Sequence, residues 1–119
     1  MARTDPLPLE AVRDLLGICR ALYAARKRAH APSSELEELQ AVGSALSRSI
    51  ELARKTEPNT VGHRAAWDKA EMATERLMRV VSATMTAGPL VEAAVVRIRR
   101  IHPTRREADE RKIAERFRR

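Results

Sequence analysis

Cations at seven-residue intervals are the residues of this chain whose type and spacing point most directly to chemistry. Arg13, Arg20 and Lys27 form one line, Arg48 and Lys55 a second, and Lys69 and Arg76, with Arg79 close by, a third. Seven residues span two helical turns, so each line runs along one face of a helix. The chemistry is anion recognition, because a guanidinium fork donates paired hydrogen bonds to phosphate or carboxylate oxygens. On the first helix the line falls opposite the apolar stripe, with the small Gly17 and Ala24 between its members. Three such lines together would cradle a phosphate backbone. The plainer reading is a solvated face that carries charge for solubility.

The positive charge is concentrated at the end of the chain. Residues 97–119 hold ten Arg or Lys against four acids, a surplus of six out of a formal net charge of +7. Arg97, Arg99 and Arg100 open this stretch and extend the candidate set for backbone contact. A basic end on an otherwise balanced domain implies a polyanionic partner or an acidic protein surface. Arginine outnumbers lysine 19 to 4, which suits bidentate phosphate contact but also follows from GC-rich coding, since alanine is abundant too.

Signatures of catalysis are missing from the sequence. It has no Gly-rich phosphate loop, no Gly-x-Ser-x-Gly and no His-Glu-x-x-His. His30, His63 and His102 lie near expected helix ends and read as solvated or capping residues. The Glu-x-x-His pairs of a di-metal bundle do not occur. Glu71 and Glu75 share a helical face, but Arg76 and Arg79 beside them make that face an ion-paired surface. The single cysteine, Cys19, excludes an internal disulfide or thiolate metal site and reads as a buried free thiol among Leu15, Leu16 and Leu22. The expectation is a protein that is not an enzyme and carries no metal or cofactor.

The elements that must position these residues are helices cut by proline and glycine, and no segment alternates like a strand. Asp5-Pro6 opens a first helix reaching about His30, with Val12, Leu15, Leu16, Cys19, Leu22 and Tyr23 on the 3.6-residue period. Ser34 with Glu37 forms a capping box for a second helix running to about Thr56. Its Leu36, Leu39, Gly43, Leu46, Ile50 and Ala53 make a heptad seam suited to near-antiparallel packing. A third helix of about 63–87 turns Ala66, Ala70, Ala73, Leu77, Val80 and Thr84 inward, and Trp67 belongs to the core or an interface. After Gly88-Pro89 comes a short fourth helix, Leu90 to Ile101, apolar on several sides and suited to burial at an interface. Beyond Pro103, Thr104 and Glu107 make a second capping box for a basic helix whose apolar content is chiefly Ile113 and Phe117.

The composition, 44% hydrophobic and 33% charged in 119 residues, suits one all-α domain: a four- to five-helix bundle over residues 1–102 and a basic C-terminal helix or tail over 103–119. Tyr23, Trp67 and Phe117 are its three aromatics, whereas folds that read single strands by stacking need several exposed ones. No apolar run is long enough to span a bilayer, and the first residues lack the layout of a signal peptide. The expectation is a cytoplasmic protein without a membrane partner.

The stretches ICRALYAARKRAH, SALSRSIELARKT and VVRIRRIHPTRR match in character the small all-helical subunit of multi-subunit CRISPR effector complexes. The chain resembles that family in helix number, length and charge over most of its extent. The resemblance implies a non-catalytic bundle present in several copies that binds guide, target or displaced-strand backbones. LEELQAVGSALSRSI and AAWDKAEMATERLMRVV also look like the second and third helices of the basic bundles that accompany intervening sequences and retroelements, although the C-terminal Gly-Trp of that group is missing.

The expected function is therefore a nucleic-acid-backbone-binding small subunit of a ribonucleoprotein, meeting RNA or single-stranded DNA through Arg13, Arg20, Lys27, Arg48, Lys55, Arg76, Arg97, Arg99 and Arg100. Its other partners would be protein subunits of the complex, copies of itself among them. The competing expectation is a protein-interaction bundle, a chaperone, antitoxin-like or scaffold subunit, docking through Ile113 and Phe117 of its last helix.

Overall fold

Four helices occupy the lengths between the proline-marked breaks: α1 (Leu9–Arg28), α2 (Ser33–Arg54), α3 (Val61–Thr84) and α4 (Pro89–Ile101). The computed structural model describes residues 6–84 and 88–101, and among these no strand occurs. The basic segment 103–119, with Ile113 and Phe117, and His102 lie outside the described residues. The four helices confirm the all-α bundle.

Three helix starts differ from the sequence expectation, each for a local reason. The first helix begins at Leu9, not at Pro6, because Pro8 disfavours helical backbone at Leu7. Pro8 then serves as N-cap, and its carbonyl accepts from the Val12 N–H at 3.1 Å. The expected Ser34–Glu37 capping box does not form. Pro32 takes the N-cap position, its carbonyl accepting from the N–H of Glu35 and Leu36, so Ser34 falls inside the first turn. The third helix starts two residues early, at Val61, because Thr60 caps it: its hydroxyl accepts from the His63 N–H at 3.2 Å.

The end of α1 is a Schellman closure built on histidine. The N–H of His30 bonds the Lys27 carbonyl and that of Ala31 bonds the Arg26 carbonyl, with His30 itself at φ 58 where glycine is usual. His30 is exposed and caps the helix, as its position in the sequence implies.

Each helix packs on the next, and α4 closes the ring against α1, with α2 against α3 the most extensive contact. Short links force neighbours to run antiparallel. The register shows in cross-helix pairs: Arg26 with Glu35 and Cys19 with Leu39 join α1 to α2, and Arg76 with Glu38 joins α3 to α2. Ala66, Ala70 and Ala73 are fully buried on α3, and their small side chains let the α2 backbone come close.

The core is aliphatic, led by Val12, Leu15, Leu39, Val42, Leu46, Leu77 and Ile101. The heptad seam of α2 holds at Leu39, Leu46, Ile50 and Ala53, but Leu36 and Gly43 are only half-buried. Val42 and Ser49 are buried in addition, because α2 touches helices on two sides and its buried arc is wider than a two-helix seam. Trp67 sits in the core, as expected. On α4, Ala94, Ile98 and Ile101 face inward while Val96 is 53% exposed.

Candidate nucleic-acid interface

Two of the predicted cations, one from each of two helices, line the same groove. Between α1 and α2 lies an open groove of about 570 Å³. From α1 it takes Leu16, Cys19, Arg20 and Tyr23; from α2 it takes Leu39, Gln40, Gly43, Ser44, Ser47 and Arg48. The groove exists because α2 presents Gly43, Ser44 and Ser47 where larger side chains would fill the space between the helices. Its lining contains two guanidiniums, two hydroxyls, a phenol and a carboxamide, and no carboxylate.

Arg20 and Arg48 are exposed, and neither forms an ion pair among the described residues. Two other arginines of the bundle, Arg26 and Arg76, are already engaged. Arg26 makes a two-point bond to Glu35, at 2.8 and 3.2 Å, with the Glu35 side chain only 3% exposed. Arg76 makes the same fork to Glu38, at 2.8 and 3.2 Å. That bond, with the nearby charges of Arg76 and Arg79, holds the Glu38 carboxyl below its ordinary range. Arg76 therefore lies on the α2 side of α3 with its charge compensated, paired to a residue of another helix and not to Glu71 or Glu75 of its own.

Arg13, Lys27, Lys55 and Lys69 are exposed. The groove shows that the α1 line sits on the shoulder toward α2 instead of directly opposite the buried stripe, since Arg20 is in its wall. Arg97 is half-buried with its Nε shielded from solvent, whereas Arg99 and Arg100 are exposed in the last turn of α4. Tyr23, Gln40, Ser44 and Ser47 were not among the sequence candidates. The signal for the three on α2 was the run of small and polar residues at 40, 44 and 47 next to Gly43 of the seam.

The remaining reactive side chains are structural. Cys19 is buried, its Sγ donates to the Leu39 carbonyl at 3.3 Å, and burial pushes the thiol up to about 11. It is a protonated floor to the groove. His63 corrects the sequence reading of a solvated or capping residue, being only 4% exposed. Thr56 Oγ1 donates to the Leu52 carbonyl at 2.8 Å, so Nδ1–H of His63 donates to Thr56 at 3.2 Å and Nε2 accepts the Leu7 N–H at 2.8 Å. Gly62 makes this possible: a Cβ there would stand 2.6 Å from Thr56 Cγ2. No group of three or more His, Cys, Asp and Glu placed to hold a metal occurs among the described residues. No described helix is long and apolar enough to cross a membrane.

Against known proteins the chain finds no match: no family model, no curated protein and no solved structure corresponds to it.

Proposed function

We propose that the chain binds nucleic acid through its phosphate backbone, as a non-enzymatic small subunit of a ribonucleoprotein. One observation carries the reading: Arg20 and Arg48, from two helices, line one groove that has no carboxylate in its wall. Unpaired guanidiniums attract phosphate, whereas paired ones such as Arg26 and Arg76 are already neutralised. The exposed Arg13, Lys27 and Lys55 extend the same charge along α1 and α2, and Arg99 and Arg100 add to it on α4. Contact of this kind is independent of sequence and weak per site, so it gains from several copies on one strand. RNA is the first candidate, with assembly in the cytoplasm alongside other protein subunits.

The test is a salt titration of binding to single-stranded RNA. Losing two phosphate contacts in Arg20→Gln/Arg48→Gln should flatten the slope of log K against log salt by about 1.4, at roughly 0.7 per contact. An unchanged slope and affinity would remove these residues from the interface.

The second reading, a protein-interaction bundle, draws on the exposure of Leu90 and Val96 on α4, apolar side chains left outside the core. In that reading the segment 103–119, which lies outside the described residues, docks on a protein through Ile113 and Phe117. Ile113→Ser/Phe117→Ser would abolish the protein complex while leaving RNA binding intact.

A further inference from the structure

We infer that the groove between α1 and α2 is a nucleotide slot, which takes one unpaired base of a single strand while Arg20 and Arg48 hold the flanking phosphates. This rests on the nucleic-acid reading above and makes it specific: the ligand is single-stranded, and a duplex is excluded from the slot. A bare phosphate track needs only cations on a convex face. This groove has more, because its space of about 570 Å³ falls in the range of small-ligand sites. Its lining includes an aromatic ring and an amide carbonyl oxygen, neither of which a phosphate can use.

Tyr23 is half-buried at the groove, whereas Trp67 is packed into the core, so the tyrosine ring supplies the flat surface on which a base can stack. Gln40 Nε2 donates to the Tyr23 hydroxyl at 3.3 Å, which steadies the ring and leaves the Gln40 carbonyl oxygen free to accept from a base amino group. The Ser44 hydroxyl beside it can donate or accept, so the set tolerates more than one base. At the middle of the α2 wall stands Gly43, where an added Cβ would meet nothing closer than Leu16 Cδ1 at 3.8 Å. A Cβ there would make ordinary contact with Leu16, and the missing side chain at Gly43 widens the groove beside it, where a base can lie. In a duplex the bases are paired and stacked within the helix and the polar wall has nothing to meet.

The experiment compares three probes at low salt: a single-stranded RNA oligonucleotide, the same sequence as a duplex, and inorganic polyphosphate of matched charge. Gly43→Leu fills the slot and leaves both arginines in place. The wild type should bind the single strand about tenfold more tightly than the other two, as one stacked base allows. Gly43→Leu should lose that advantage and keep its polyphosphate affinity. Tyr23→Ser supplies an independent variant should Gly43→Leu melt early, and it should show the same selective loss.

Single-strand binding unchanged in both Gly43→Leu and Tyr23→Ser would overturn the slot and leave the backbone reading standing, provided Arg20→Gln/Arg48→Gln still weakens all three probes. A wild type that binds none of the probes would overturn both.

Discussion

The backbone N–H of Leu7 donates to Nε2 of His63 at 2.8 Å, across 56 positions of sequence. This bond ties the entry to α1 against the start of α3, and both residues are buried. His63→Phe keeps the bulk of the ring and removes the acceptor, leaving the Leu7 N–H unsatisfied. We expect a loss of about 1–3 kcal/mol in urea unfolding. A stability equal to wild type would show that water replaces the imidazole.

Two glycines should respond oppositely to alanine. At Gly62 the new Cβ would lie 2.6 Å from Thr56 Cγ2 and disturb the Thr56–His63 bond, so Gly62→Ala should be destabilising despite its better helix propensity. At Gly43 the methyl fits, and Gly43→Ala should stabilise by about 0.5–1 kcal/mol. Thermal melts of the two variants would check the contrast.

Cys19 should resist alkylation at pH 8 in the folded protein and react at the rate of global unfolding. Its folded thiol stands at about 11 against an ordinary 9.0 because burial penalises the thiolate. The unfolded chain therefore ionises first as pH rises. Stability should be intact below pH 9 and decline between 9 and about 11, by no more than about 2–3 kcal/mol. Cys19→Ala should remove that alkaline decline in denaturant melts taken across this range.

The Glu38–Arg76 fork acts at the opposite end of the pH scale. The folded Glu38 carboxyl is held below the ordinary 4.5 by its hydrogen bond to Arg76. Its contribution is thus complete above about pH 4.5 and lost as pH falls through the lower folded value. The stability gap between wild type and Arg76→Gln should be constant near neutrality and close on acidification. A gap that persisted at pH 2 would mean Arg76 stabilises by packing alone.

Most of the fold was legible in the residues because it follows from period and punctuation. Val12, Leu15, Cys19 and Leu22 recur at helical spacing, and so do Ala66, Ala70, Ala73 and Leu77; in the structure both sets are buried. Helix starts were less legible. Ser34 and Glu37 match the capping pattern, yet the Pro32 carbonyl captures the first N–H groups and Glu35 turns to Arg26 on the other side of the hairpin. The capping pattern lost there to an earlier helix start set by Pro32.

For the candidate interface, sequence spacing alone determined that cations lie in lines along helices, since a seven-residue repeat keeps one face. It also determined that Cys19 falls on the apolar stripe. Only the tertiary structure decided which cations face a common groove. Arg20 and Arg48 line one groove from α1 and α2 because antiparallel packing sets their register, and the same packing spends Arg76 on Glu38. It likewise made His63 a buried hydrogen-bond bridge, a role its place near a helix end did not announce, because the partners Leu7 and Thr56 come from two other segments. A linear pattern records which face a side chain is on; it does not record what the facing helix brings to it.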